Sequence, residues 1–129
     1  MLQQSIMIDF QNSFIRLSPA KIEKIQEKVE PLLIEGESVF EAYSSIRDYV
    51  AFTNKRVIAV NVQGITGSKK SFTTLPYSRL ISFAIETAGT FDMDSELNLD
   101  FSGLGKVMFE FSHGSNIQGI AQLIAKHLL

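Results

Sequence analysis

The chain has 129 residues and a formal net charge of −2, with 45% apolar and 20% charged residues. This length suits one domain with its own core, and the charge does not favour non-specific binding to nucleic acid. The absence of cysteine excludes disulfides and thiolate metal sites, and no apolar run approaches the roughly 18 residues of a membrane span. Because no positively charged segment precedes an apolar stretch near Met1, we expect a cytoplasmic protein.

Residues 1–17 carry apolar side chains in a helical stripe. Ile6, Phe10, Phe14 and Leu17 are spaced by four, four and three residues, which places them on one face of a helix. The strands and the last helix can complete the core without this stripe. We therefore expect it, with Phe10 and Phe14, to pack between neighbouring subunits or on the outside of an assembly. The alternative is that it covers an open face of its own sheet.

A second helix is predicted from Ser18, which would cap it, with Pro19 in the first helical position. Pro31 should end or kink this helix. We therefore assign residues 1–35 to an N-terminal helical extension and residues 36–129 to a mainly β domain (α+β by content).

The period of the apolar residues changes from near 3.6 to 2 after Glu37, which indicates strands. Seven strands are predicted, at residues 39–46, 49–53, 57–62, 69–75, 79–87, 97–102 and 107–112. A C-terminal helix follows the capping-box pattern Ser115-x-x-Gln118. An open seven-stranded sheet would expose two edges. We therefore expect an antiparallel sandwich or partial barrel whose open end is plugged by the helix.

The stretch GITGSKKS, from Gly64 to Ser71, has the composition of a phosphate-binding loop but not its spacing. Such a loop has four residues between its glycines and a helix after it. Here two residues separate Gly64 from Gly67, and a strand pattern follows. The stretch therefore predicts a hairpin turn in which the glycines take positive φ.

Metal-binding and catalytic patterns are incomplete. The acidic stretch at residues 92–96 has the first spacings of a calcium-binding EF-hand loop, but the sixth and twelfth positions are Leu97 and Gly103. The histidines, His113 and His127, have no partner nearby in sequence for base catalysis. We therefore expect no catalytic residue, metal site or cofactor.

Charge is unevenly distributed along the chain. Residues 47–79 hold six bases and one acid, whereas residues 80–105 hold five acids and no base. In an up-and-down meander the first and third turns share one end, which would bring Arg47 near Lys69 and Lys70. This grouping indicates either a weak anion or lipid-headgroup site or ordinary solvated turn charges. The segregation also suits head-to-tail self-association.

Several short pieces make the chain similar to a known bacterial family. They are Arg47-Asp48, FTNKR at 52–56, QGITG at 63–67, Pro76-Tyr77, ETAG at 86–89 and FDMDSE at 91–96. With the helix at Ile117, they resemble the bacterial pleckstrin-homology-like (PH-like) domain family, first catalogued as a domain of unknown function, from about Ser18 to Leu129. One departure is Ser68, where the family usually has lysine. The resemblance implies a PH-like fold, closed ring-type homo-oligomers, and no established ligand or enzymatic activity.

The expected function is that of a non-enzymatic PH-like interaction module that assembles into a homo-oligomeric ring. Because loops carry recognition, we expect Phe91, Asp92 and Asp94 to contact neighbouring protomers. The alternative is a peripheral module that binds anionic lipid or a phosphate ligand through Arg47, Lys69 and Lys70, with only weak attachment to membranes. An unidentified protein partner is compatible with both, whereas nucleic acid is not expected.

Overall fold

The computed structural model of the chain describes residue 14 and residues 16–129. The strands are β1 (Ser18–Pro19), β2 (Val39–Ser44), β3 (Tyr49–Thr53), β4 (Arg56–Gln63), β5 (Lys69–Pro76), β6 (Leu80–Thr87), β7 (Ser95–Phe101) and β8 (Gly105–Phe111). The helices are α1 (Ile22–Val29) and α2 (Ile117–Leu128). All seven predicted strands form, and the two-residue β1 is additional. None of these helices is long and apolar enough to cross a bilayer.

The strands form a sandwich of two antiparallel sheets. Sheet 1 has the order β1-β2-β3-β4-β5, and sheet 2 has the order β6-β7-β8. A 3-10 turn at Tyr77–Arg79 carries the chain from β5 into β6. The predicted mainly β sandwich with a C-terminal helix is confirmed, but the two sheets do not close into one barrel.

The main core lies between the sheets. Leu97 and Leu99 of β7 and Val107 of β8 are fully buried, whereas their sequence neighbours face outward. Aromatic rings fill the centre, with centroids between 4.8 and 6.5 Å apart, from Tyr43, Phe52, Phe109 and Phe111. Edge-on and tilted pairs of this kind add to the stabilisation that comes from burial alone.

Residues 16–19 join the two sheets. The amide of Leu17 donates to the carbonyl of Glu110 at 2.8 Å, and the amide of Ser112 donates to the carbonyl of Leu17 at 2.8 Å. The next two residues form β1, which pairs antiparallel with β2. A cap at Ser18 is therefore wrong, because Ser18 lies in a strand and α1 begins at Ile22.

Phe14 and Leu17 are 2% and 0% exposed and belong to the main core. The expectation that the apolar stripe is surplus to the core is therefore wrong for these two residues. Phe14 is corrected from an interface residue to a core residue, because β8 supplies the surface on which it is buried. Phe10 lies outside the described residues.

The two helices cover different parts of the sandwich. Ile25 and Val29 of α1 are buried on the outer face of sheet 1, against a second apolar cluster that includes Ile58 and Val60. Helix α2 contributes Ile117, among other residues, to the main core.

The N-cap of α2 lies one residue after the predicted cap, Ser115. The side-chain oxygen of Asn116 accepts the amide of Gly119 at 3.1 Å, so Asn116 is the N-cap. Its Nδ2 donates to the carboxylate of Glu41 at 2.7 Å, and its backbone amide donates to the hydroxyl of Tyr43 at 3.0 Å. These bonds fix the start of α2 against β2.

Candidate functional site

The β2–β3 and β4–β5 turns lie side by side, as expected for a meander. The guanidinium Nη2 of Arg47 donates to the carbonyl of Gly64 at 2.5 Å. One residue later, the carboxylate of Asp48 accepts the amide of Val62 at 2.8 Å. The Arg47-Asp48 pair therefore connects the first turn to the second.

The tips of these turns expose two isoleucines. Ile46 is 100% exposed and Ile65 is 104% exposed, so neither contributes to the core. The second turn is the predicted hairpin, with φ of 85° at Gly64 and 73° at Gly67. A Cβ at Gly67 would lie 3.3 Å from Nη2 of Arg47, so this glycine also leaves room for that side chain.

Lys69 and Lys70 flank the second turn at the start of β5, and both are exposed. They pair with Gln63 and Val62, respectively. Because consecutive residues of a strand point to opposite faces, the two lysines diverge. The exposed side chains at this end of sheet 1 form a surface that we call the paired-turn surface. It comprises Ile46, Arg47, Ile65, Lys69 and Lys70.

A row of carboxylates crosses the outer face of sheet 2. Glu86 of β6 lies opposite Glu96 of β7, which lies opposite Glu110 of β8. Like charges directly opposite one another on neighbouring strands are unfavourable. An open cleft of about 670 Å³ adjoins this row, and its lining also includes Arg16 and His113. The row is visible only once the strand register is known.

The loop from Ala88 to Asp94 connects β6 to β7 beside this row and is held by backbone bonds. The amide of Ala88 donates to the carbonyl of Asp94 at 3.1 Å, which closes the loop. The carbonyl of Asp92 accepts the amide of Gly114 at 2.9 Å, which ties the loop to the turn before α2. We call residues 88–94 the acidic loop.

The acidic loop exposes apolar side chains between its carboxylates. Phe91 is 50% exposed and Met93 is 46% exposed. The hydroxyl of Thr90 donates to the carboxylate of Asp92, and this bond lowers the pKa of Asp92. His113 Nδ1 lies 3.8 Å from Oδ1 of Asp94, with both side chains largely exposed.

The FTNKR motif at residues 52–56 has a structural role. Arg56 binds the carboxylate of Glu37 at two points, with Nε 2.9 Å from Oε2 and Nη2 3.0 Å from Oε1. The hydroxyl of Thr53 donates to Oε2 of Glu37 at 2.7 Å. Asn54 accepts the amide of Ser38 at 2.9 Å through its side chain. The motif therefore anchors the connection between α1 and β2.

Two opposing effects act on the pKa of Glu37. Burial of the carboxylate raises the pKa, whereas hydrogen bonds from Arg56, Thr53 and the amide of Ile34 lower it, together with the positive charge of Arg56. The hydrogen bonds and the charge outweigh burial, so the pKa lies below its ordinary value.

Within residue 14 and residues 16–129, no group of three or more His, Asp or Glu side chains is arranged to hold a metal ion. The predicted interface residues Phe91, Asp92 and Asp94 lie together in the acidic loop. Of the predicted anion-site residues, Arg47 contacts the second turn and the two lysines diverge around it.

The model of the family described as "Bacterial PH domain" matches residues 9–128. The uncharacterised protein YjqA of Bacillus subtilis (strain 168) is 43% identical over 103 residues, which cover 78% of this chain and 82% of YjqA.

Two crystal structures from Shewanella share the fold. A DUF1696 family protein with a pleckstrin-homology domain from Shewanella loihica PV-4 is 37% identical, with a TM-score of 0.76 over 89% of this chain and 99% of that chain. A pleckstrin-homology domain from Shewanella amazonensis SB2B is 39% identical, with a TM-score of 0.63 over 85% of this chain and 90% of that chain.

Proposed function

Because the chain belongs to the bacterial PH domain family, we propose that it is a non-enzymatic interaction module that assembles into a ring-type homo-oligomer. The observation that carries this proposal is the separation of charge between the two sheets. Carboxylates line the outer face of sheet 2, and cations flank the turns at one end of sheet 1.

The row of Glu86, Glu96 and Glu110 supports contact with a cationic surface. Three carboxylates in register repel one another within the isolated domain. A cation from another molecule relieves this repulsion, and the paired-turn surface of a second copy offers such cations. Because the two surfaces occupy different places on the domain, the contact is head-to-tail and generates a ring when the rotation between copies closes.

The non-enzymatic part of the proposal is supported by the structural hydrogen bonds that the polar side chains of the family-like motifs form. Thr53, Asn54 and Arg56 are engaged in bonds that hold the chain connection before β2. Asp48 holds the second turn through the amide of Val62. These polar residues, which carry the resemblance to the family, stabilise the fold.

Sedimentation velocity at micromolar protein concentration tests the proposal. We expect a closed oligomer that dissociates as salt rises from about 50 mM to about 500 mM, because salt shortens the range of the attraction between the surfaces. Native mass spectrometry then gives the subunit number. A monomer at every concentration and salt level would overturn the proposal.

A second candidate function is binding to anionic lipid through Arg47, Lys69 and Lys70. It is favoured by the full exposure of Ile46 and Ile65 beside these cations, since apolar tips with basic neighbours suit an anionic bilayer surface. Flotation with vesicles of phosphatidylglycerol, compared with phosphatidylcholine alone, tests it. Equal absence from both kinds of vesicle would exclude it.

A further inference from the structure

The paired-turn surface and the acidic loop complement each other in apolar side chains as well as in charge. The paired-turn surface presents two fully exposed isoleucines beside three cations. The acidic loop presents Phe91 and Met93, each about half exposed, beside Asp92 and Asp94. Each surface can therefore pair its apolar side chains with apolar side chains of the other, and its charges with opposite charges. Such pairing compensates for the desolvation of both surfaces.

Both surfaces are held in shape before any contact forms. The two turns are connected by the bonds from Arg47 to Gly64 and from Val62 to Asp48. The acidic loop is closed by its own backbone and tied to Gly114. Because the loops are already ordered, docking costs little further conformational entropy.

The exposed apolar side chains are not explained by the fold of one copy. Ile46 and Ile65 lie at the tips of adjoining turns and contribute nothing to either apolar cluster. Grouped apolar exposure that is rimmed by charged side chains is typical of a protein interface.

We infer that the paired-turn surface of one copy docks on the acidic loop of the next copy, beside the row of Glu86, Glu96 and Glu110. Ile46 and Ile65 contact Phe91 and Met93, and the cations face the two aspartates. This inference rests on the proposed self-assembly and names the surfaces that meet. Each copy carries one surface of each kind, so each copy in a ring contacts two neighbours.

The divergence of the two lysines favours an extended partner over a small anion. Lys69 and Lys70 point to opposite faces of β5, and Arg47 is engaged with the second turn. This divergence disfavours contact of all three cations with a single phosphate, whereas the acidic loop offers carboxylates at two separate positions, Asp92 and Asp94.

Charge reversal on either side, and then on both, tests the inference. Lys69→Glu/Lys70→Glu and Asp92→Lys/Asp94→Lys should each weaken association by at least about tenfold, because like charges then face each other. Combining all four substitutions in one chain restores the opposition of charges. We expect it to return the dissociation constant to within about threefold of the original value.

Controls separate this contact from general effects of charge and folding. Lys21→Glu/Lys24→Glu changes the charge equally on exposed positions at α1 and should leave association intact. Far-ultraviolet circular dichroism of each variant checks the fold. Since Asp92 also holds Thr90, the apolar variant Phe91→Ser/Met93→Ser provides a second disruption of the loop surface. Ile46→Ser/Ile65→Ser should weaken association without changing thermal stability.

The outcomes distinguish the inference from the proposal on which it depends. A wild-type monomer overturns the proposed self-assembly and the inference with it. An oligomeric wild type whose association is unchanged by folded charge-reversal variants overturns only the inference. If Lys69→Glu/Lys70→Glu abolishes binding to phosphatidylglycerol vesicles but leaves the oligomer intact, the paired-turn surface belongs to a membrane and the inference is also overturned. Restoration of association by the variant with all four substitutions supports the inference.

Discussion

The ring of Phe14 packs against the ring of Phe109, with centroids 5.2 Å apart and planes inclined by 53°. The contact forms because Phe14 and Leu17 lie beside β8, where the carbonyl of Phe14 accepts the amide of Glu110 at 2.9 Å. The segment ahead of α1 therefore contributes directly to the core between the sheets.

Phe14→Ala should lower the free energy of unfolding by about 3–5 kcal/mol, because it removes a buried aromatic ring and leaves a cavity. Urea denaturation followed by circular dichroism measures the loss. Phe91→Ala is the matched control, since the ring of Phe91 is half exposed, and it should change the free energy of unfolding by only about 0.5 kcal/mol. Equal, small effects of the two substitutions would show that Phe14 is not a core residue.

Arg56→Met should destabilise the domain by about 3 kcal/mol, because it leaves the buried carboxylate of Glu37 without its charged partner. The neighbouring exposed residue provides the control, and Lys55→Met should have little effect. Both are measured by urea denaturation at neutral pH. A cost for Arg56→Met that does not exceed the cost for Lys55→Met would contradict the assigned role of the ion pair.

The lowered pKa of Glu37 predicts a loss of stability in acid. Because its pKa is lower in the folded than in the unfolded chain, its contribution is fully present above the unfolded pKa and is lost as pH falls through the folded pKa. The difference in free energy of unfolding between wild type and Glu37→Gln should therefore shrink from about pH 7 to about pH 3. Urea titrations at several pH values measure this difference, and one that is independent of pH contradicts the prediction.

Glu96→Gln should stabilise the domain by about 0.5 kcal/mol at low salt, because Glu96 lies between two other carboxylates. Added salt should reduce the gain through screening. The control is Asp100→Asn in the same strand, where the cross-strand neighbour is Lys106 and the loss of charge should not stabilise. The free energy of unfolding is measured by urea denaturation at protein concentrations at which each variant has a single oligomeric state. A gain that persists in high salt would exclude repulsion as the cause.

The strands could be predicted because their buried positions alternate locally. Leu97, Leu99 and Phe101 show this period directly, and each is buried. The spacing of Phe14 and Leu17 also fits a helix, but both residues hydrogen-bond to β8, which lies far away in sequence. No local pattern contains that information.

The candidate surfaces were only partly predictable for a related reason. Charge counts indicated an acidic and a basic region, but the alignment of Glu86, Glu96 and Glu110 depends on hairpin register. Ile65 belongs to no apolar period, because it lies in a turn. Ile46 ends the predicted strand 39–46, but β2 ends at Ser44, so the exposure of Ile46 becomes apparent only when the turn is placed.

The joining of both sheets by residues 16–19 also constrains the order of folding. Arg16 and Glu110 are 94 residues apart, so forming their contact first would require closing a loop of nearly the whole domain. The hairpins within each sheet close much shorter loops. The contacts of Arg16 and Leu17 with β8 should therefore form after the hairpins. If these contacts break while the hairpins stay folded, the amide hydrogens of Leu17 and Ser112 will exchange with solvent under native conditions.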